Sequence, residues 1–171
     1  MKRPLTIVIA LVLAVIGVQG YRLVESAGLL YAIEPHFLGQ CEAVSGTVGA
    51  EDITIDQDRQ YAYISADDRR ATLANMPVKG GIYGLDISKP DSAPVLLTNT
   101  FSEDFHPHGI SLFQSKAGER TLFVINHLNS GKNQVEVFDI KAAGELFHRT
   151  SISYPELMTP NDLVAVSATQ F

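Results

Sequence analysis

The 171-residue chain holds a single cysteine, Cys41. One cysteine excludes a scaffold stapled by internal disulfides, and no CxxC pair exists to bind a metal or run redox exchange. Positive charge is sparse: 13 Lys+Arg stand against 19 Asp+Glu, giving a net charge of −6. Phosphate binding needs concentrated Lys and Arg, and no basic cluster occurs, which argues against a nucleic-acid partner. The sequence has no GxSxG elbow, Walker loop, GxGxxG or N-x-[ST] acceptor. Serine-hydrolase chemistry therefore lacks its usual signature. The 13 glycines and 8 prolines follow no Gly-X-Y period, so nothing is collagenous. What remains is ordinary globular composition, 46% hydrophobic and 19% charged, over a length typical of one domain.

Lys2 and Arg3 precede an uncharged apolar run of 14 residues, Leu5 to Val18. A membrane-spanning helix needs ~20 apolar residues, so the run reads more readily as the core of a signal peptide. Val18-Gln19-Gly20 places small residues where a signal peptidase reads, with cleavage before Tyr21. Retained, the segment would act as a signal anchor with Lys2 and Arg3 on the cytoplasmic side. Residues 1–20 are thus read as signal peptide or anchor and residues 21–50 as a lead-in. The rest is expected outside the cytoplasm, periplasmic, extracellular or membrane-anchored.

Beyond residue 50 the pattern changes to short runs rich in Val, Ile, Tyr, Phe and Thr, separated by turn signals. Ile53–Ile55, Tyr61–Ser65, Ile82–Ile87 and Pro94–Thr98 form one series. His108–Phe113, Thr121–Asn126, Val135–Ile140 and Leu146–Ile152 form a second, and Asn161–Val166 begins a third. No later segment keeps a helical period for three turns, so the body is expected to be all-β. The series align. Glu51-Asp52-Ile53 matches His108-Gly109-Ile110 at an offset of 57 residues, and Asn161-Asp162-Leu163 follows at 53. Leu85-Asp86-Ile87 likewise matches Phe138-Asp139-Ile140. Four strands per ~40–55 residues is the sequence signature of propeller blades. The expectation is a partial β-propeller over 51–171: blade 1 at about 51–100, blade 2 at about 108–152, and the first strand of a third at 161–171. A β-sandwich is the competing architecture. Blades need neighbours on both faces. The chain therefore reads as the first part of a larger protein, or as one that self-associates through open blade edges.

In a propeller the first strand of each blade lines the central channel, so equivalent positions face one another. Here those positions are Glu51/Asp52, His108/Gly109 and Asn161/Asp162. Carboxylates and an amide carbonyl are hard oxygen donors of the kind Ca²⁺ prefers. Each residue alone is a common strand-start turn residue; their register is what singles them out. His108 occupies the channel position and can take a proton from water, with a second imidazole to orient it. His106, His108 and His127 would also suit zinc, although no fourth ligand or HExxH spacing accompanies them. His36 and His148 read as surface or satisfied core residues.

Phe105-His106-Pro107-His108-Gly109-Ile110-Ser111, Val124-Ile125-Asn126-His127 and Pro160-Asn161-Asp162-Leu163-Val164-Ala165-Val166 together resemble the paraoxonase/arylesterase family. Gly49-Ala50-Glu51-Asp52, Cys41 and the hydrophobic N-terminus fit as well, so the resemblance runs over nearly the whole chain. It implies a six-bladed β-propeller with two calcium ions in its channel. It further implies that Glu51 and Asn161 bind the catalytic ion. Asp52, Asp162 and the backbone carbonyl of Ile110 would bind the structural ion. His108 and His127 would be the pair that activates water. The implied activity is calcium-dependent hydrolysis of small-molecule aryl esters and lactones. The resemblance also implies a partner for Cys41 near the C-terminus of a complete family member, and further calcium ligands from later blades; this chain supplies neither. The alternatives are a non-catalytic exported or membrane-tethered module made of propeller blades, and a gluconolactonase-like enzyme, which would lack the FHPHGIS stretch.

Overall fold

A computed structural model describes residues 3–32, 34, 36–102 and 104–171. Two compact units divide the chain, residues 1–42 and 43–171.

The first unit is built on α1 (Arg3–Ser26), a 24-residue helix. Lys2 lies outside the described residues. The helix does not stop where the uninterrupted apolar run ends at Val18. Tyr21, Leu23 and Val24 continue it, and Ser26 Oγ donates to the Leu23 carbonyl at 3.0 Å near its end. A helix of this length spans about 36 Å, more than the ~30 Å of a bilayer's hydrocarbon core. Pro4–Ser26 reaches a mean hydropathy of 2.2 and is long and apolar enough to cross a membrane, a test that a signal sequence also passes. The helix thus adds a further turn and more beyond the 14-residue apolar run, a length that suits a signal peptide and a signal anchor alike. Cys41 is exposed with a free thiol.

The second unit consists of antiparallel sheets. β1 (Ala50–Asp56), β2 (Tyr61–Ala66), β3 (Gly81–Asp86) and β4 (Val95–Leu96) form one four-stranded meander in sequence order. β5 (Pro107–Gln114), β6 (Arg120–His127), β7 (Asn133–Ile140) and β8 (Leu146–Ile152) form the second. Each coincides with an expected strand, β4 being shorter. Two features differ. A five-residue helix, α2 (Arg69–Leu73), follows β2, capped by Asp68, whose Oδ1 accepts from Ala71 N at 3.0 Å. Residues 161–166 form no ladder; Ala165 N instead donates to Ser111 Oγ of β5 at 3.1 Å.

The sheets share a core. Tyr63 and Ile82 of the first pack with Ile110, Leu122, Val124, Phe138 and Ile140 of the second and with Phe105, which precedes β5. Phe123, Val135 and Val137 form the core on the opposite face of β6–β7, against Leu157, Leu163 and Ala165. β6 and β7 are therefore covered on both faces, which is why Leu122–Ile125 of β6 reads as a continuous apolar run; β8 is largely exposed. β1 alternates instead, and leaves Ile53 and Ile55 exposed at 56% and 40%.

Candidate functional site

The first strand of each sheet, β1 and β5, is bulged at the positions the sequence singled out. In β1 the register slips between Ala50 and Asp52, so Glu51 is the extra residue opposite β2. In β5 it slips between Pro107 and Ile110, across His108 and Gly109. A bulge bends the strand and re-aims a side chain that the pleat would otherwise point elsewhere. The aligned positions thus carry the same backbone device, and β1 lies beside β5.

Glu51, Asp52, His108, Gly109, Asn161 and Asp162 line one cavity of about 160 Å³. Five of the seven residues singled out from the sequence are thereby brought together. Asp52 is tied down at both oxygens: Oδ1 accepts from Ile53 N at 2.7 Å and Oδ2 from Ile110 N at 2.8 Å. Ile110 is thus attached to the site through its N–H and does not itself line the cavity. Asp162 Oδ1 accepts from Leu163 N at 2.7 Å, the same local turn Asp52 makes with Ile53. Glu51 Oε1 lies 2.6 Å from His108 Nε2, and Oε2 lies 3.7 Å from Arg69 Nε.

His127, at the end of β6, joins through His108: its Nε2 lies 3.0 Å from His108 Nδ1, with the rings edge-on. Asn133, directly opposite His127 in the β6–β7 ladder, sets its tautomer. The Asn133 amide donates to the carbonyls of Leu157 and Met158, leaving Oδ1 to accept from His127 Nδ1 at 2.6 Å. His127 Nε2 is then an acceptor in the neutral ring and calls for a hydrogen on His108 Nδ1, whereas the Glu51 carboxylate, which only accepts, calls for one on His108 Nε2. Arg69, delivered by α2, works against the first of these. Its Nη2 lies 2.6 Å from the same His108 Nδ1, and a guanidinium only donates. The two contacts at Nδ1 therefore select opposite tautomers. Burial pushes the His108 imidazolium below its usual range, the Arg69 charge adds to this, and Glu51 opposes both.

The three histidines do not converge on a common point, because His106 turns away to Asp67, 3.0 Å from its Nδ1. Among the described residues no group of three or more His, Cys, Asp or Glu side chains is gathered closely enough to hold a metal ion. Apart from the His108 imidazole, the side-chain donors lining the 160 Å³ cavity are nonetheless hard oxygens: three carboxylates and the Asn161 amide. That chemistry fits Ca²⁺ and disfavours thiophilic metals. Arg69 and Asn133 were not singled out from the sequence. Asn133 had a weak signal, since it opens the strand that follows His127; Arg69, in a run of four charged residues after β2, had none.

The family described as arylesterase matches residues 74–171, a stretch that holds His108, Ile110, His127, Asn161 and Asp162. Serum paraoxonase/arylesterase 2 of Gallus gallus is 32% identical over 146 residues, 81% of this chain and 41% of that protein. Serum paraoxonase/lactonase 3 of Oryctolagus cuniculus is 30% identical over 166 residues, 93% of this chain and 46% of that protein. Serum paraoxonase/arylesterase 2 of Homo sapiens is 32% identical over 146 residues, with the same 81% and 41% coverage. The chain thus spans less than half the length of these curated relatives.

Proposed function

Because this chain belongs to the arylesterase family, we propose that the protein it is part of is a calcium-dependent hydrolase of aryl esters and lactones, exported or held at a membrane by α1. One observation carries the reading: Glu51, Asp52, His108, Asn161 and Asp162, far apart in sequence, line a single cavity. The whole protein we infer to be a six-bladed β-propeller, with the two meanders as its first blades. Their matched bulges support this, as do the exposed Ile53 and Ile55 on one side and Val164 and Val166 on the other, which further blades would cover.

Glu51 and Asn161 would hold the catalytic ion; Asp52, Asp162 and the Ile110 carbonyl would hold the structural one. Bound there, calcium supplies Lewis acidity toward a substrate carbonyl and countercharge for a developing oxyanion. His108 would take the proton of the attacking water at Nε2, which requires Glu51, 2.6 Å from that nitrogen here, to give way to the water. His127 orients that ring through Nδ1, and Asn133 fixes His127 in turn. His108→Gln is expected to lower kcat by roughly 10²–10⁴-fold, the range for losing a general base. His127→Gln, one step removed, is expected to lower it less.

Gly109 provides a second check. A Cβ there would lie 2.6 Å from both the Asn161 carbonyl oxygen and the Asp162 Cα. Gly109→Ala is expected to push Asn161 and Asp162 off β5 and weaken calcium binding by roughly tenfold or more, as misplacing a ligand does. Calorimetric titration of the full-length protein with calcium measures this.

The function itself is tested by assaying the full-length protein with phenyl acetate and δ-valerolactone, in calcium and in EGTA. Hydrolysis lost on chelation and restored by calcium is expected. Rates indifferent to EGTA would overturn the role of calcium. No hydrolysis of either compound would overturn the enzyme and favour a binding module.

A further inference from the structure

Beside the histidine pair lies a larger cavity of about 540 Å³, and the reaction proposed above makes no use of its floor. Arg69 and His127, both touching His108, form the wall it shares with that site. The floor is His106, only 5% exposed, with Asp67, equally buried, behind it. Asp67 Oδ1 lies 3.0 Å from His106 Nδ1. A carboxylate only accepts, so Nδ1 carries the hydrogen and Nε2 of the neutral ring presents a lone pair. That Nε2 is buried and has no hydrogen-bond partner. Its nearest acidic neighbour, Asp104 Oδ1, stands 3.7 Å away, and Asn129 holds it there through its backbone N and Nδ2, at 2.8 and 2.9 Å.

A buried polar atom left without a partner is destabilising, by an amount comparable to a lost hydrogen bond. Here the ring that carries the orphan lines a cavity; Nε2 itself is closed off in this structure, and a modest shift of the wall admits a ligand to it. Thr72, Asn75 and Asn129 line the same cavity, and with His106 they also line an adjoining one of about 280 Å³. An acceptor ringed by hydroxyl and amide groups is complementary to a ligand hydroxyl, which both donates and accepts. It is a poor match for a bare alkyl chain, which would bury Nε2 unpaired.

We propose that this cavity is the subsite for the part of the substrate remote from the reacting carbonyl, and that His106 is a specificity-determining residue that accepts a hydrogen bond from a hydroxyl there. The preferred substrates are hydroxylated lactones or esters rather than plain alkyl ones. Asp67 is the positioning residue, fixing which nitrogen faces the ligand. The proposal rests on the hydrolase reading for the identity of the ligand, but not for its test.

The decisive variant is His106→Asn. An asparagine amide reproduces the Nδ1–H donation to Asp67 and removes only the Nε2 acceptor, so the fold is retained. His106→Gln, which keeps a polar atom near the Nε2 position, is the rescue. Two probe pairs of matched skeleton are compared on the full-length protein: glucono-δ-lactone against δ-valerolactone for kcat/KM, and gluconate against 5-hydroxyvalerate for equilibrium binding by calorimetry. The wild type is expected to favour the hydroxylated member of each pair by roughly three- to tenfold, the worth of one neutral hydrogen bond. His106→Asn should erase that preference while leaving δ-valerolactone turnover within about twofold, and His106→Gln should restore part of it. Equal treatment of both members by the wild type, or a parallel fall for both in His106→Asn, would overturn the proposal. If neither lactone is hydrolysed, the hydrolase reading fails, and the gluconate titration alone decides the subsite.

Discussion

Glu51→Gln is expected to lower kcat/KM for phenyl acetate by roughly 10²–10³-fold at saturating calcium, the size of effect seen when one electrostatic contact to a transition state is removed. The substitution keeps the shape and removes the charge. Glu51 is the extra residue of the β1 bulge and reaches His108 Nε2 at 2.6 Å. It is the one carboxylate in the cavity with no hydrogen bond from a backbone N–H, whereas Asp52 and Asp162 each accept from the residue that follows. Its charge is therefore the least committed to the fold and the most available to the reaction. A rate within about threefold of wild type, with circular dichroism unchanged, would remove Glu51 from the catalytic centre.

The second large effect concerns stability. Arg120→Met is expected to destabilise the folded protein by about 3–5 kcal/mol, because it strands a buried charge. Asp56, at the end of β1, is fully buried, and Arg120 opens β6, so the pair joins one sheet to the other. Arg120 Nε lies 2.5 Å from Asp56 Oδ2 and Nη2 lies 3.3 Å from Oδ1. Gln114 Nε2 and Arg59 N also donate to the carboxylate, at 2.7 and 3.1 Å, and Arg59 Nε stands farther off, 3.7 Å from Oδ2. The hydrogen bond to Asp56 holds the guanidinium above even its usual high range. The pairing of Arg120 with the exposed Asp58 is screened by water and contributes little. Urea denaturation of the full-length protein measures the loss. Adding Asp56→Asn to Arg120→Met should recover part of it, since the stranded charge is then gone. Additive losses would mean that the pair does not act as a unit.

The strands were legible because the two meanders repeat one pattern. Runs such as Val135–Ile140 and Leu122–Ile125 are buried on both faces and advertise themselves by composition alone. The convergence of Glu51, His108 and Asn161 was legible for the same reason, since similar offsets in sequence, 57 and 53 residues, become one place in space. The bulges were not legible. A one-residue slip leaves no mark in the hydrophobic period until the partner strand is known, yet it is what turns Glu51 and His108 toward each other. Nor was α2 legible: five residues fall short of two helical turns, and Asp67-Asp68-Arg69-Arg70 reads simply as a solvated turn. Residues 161–166 show the opposite limit. Their pattern is that of a strand, but a strand exists only as part of a backbone ladder, and among the described residues 161–166 pair with no neighbouring strand, Ala165 N reaching only the Ser111 side chain.

The account stands most directly on calcium stoichiometry. Full-length protein, stripped with chelator and titrated back, would be weighed by native mass spectrometry, alone and with Glu51→Gln or Asp52→Asn. Two bound ions per chain are predicted, with Glu51→Gln weakening one and Asp52→Asn the other, because the neighbouring carboxylates are assigned to different ions. A protein that takes up no calcium, or whose stoichiometry and affinity ignore both substitutions, would contradict the account.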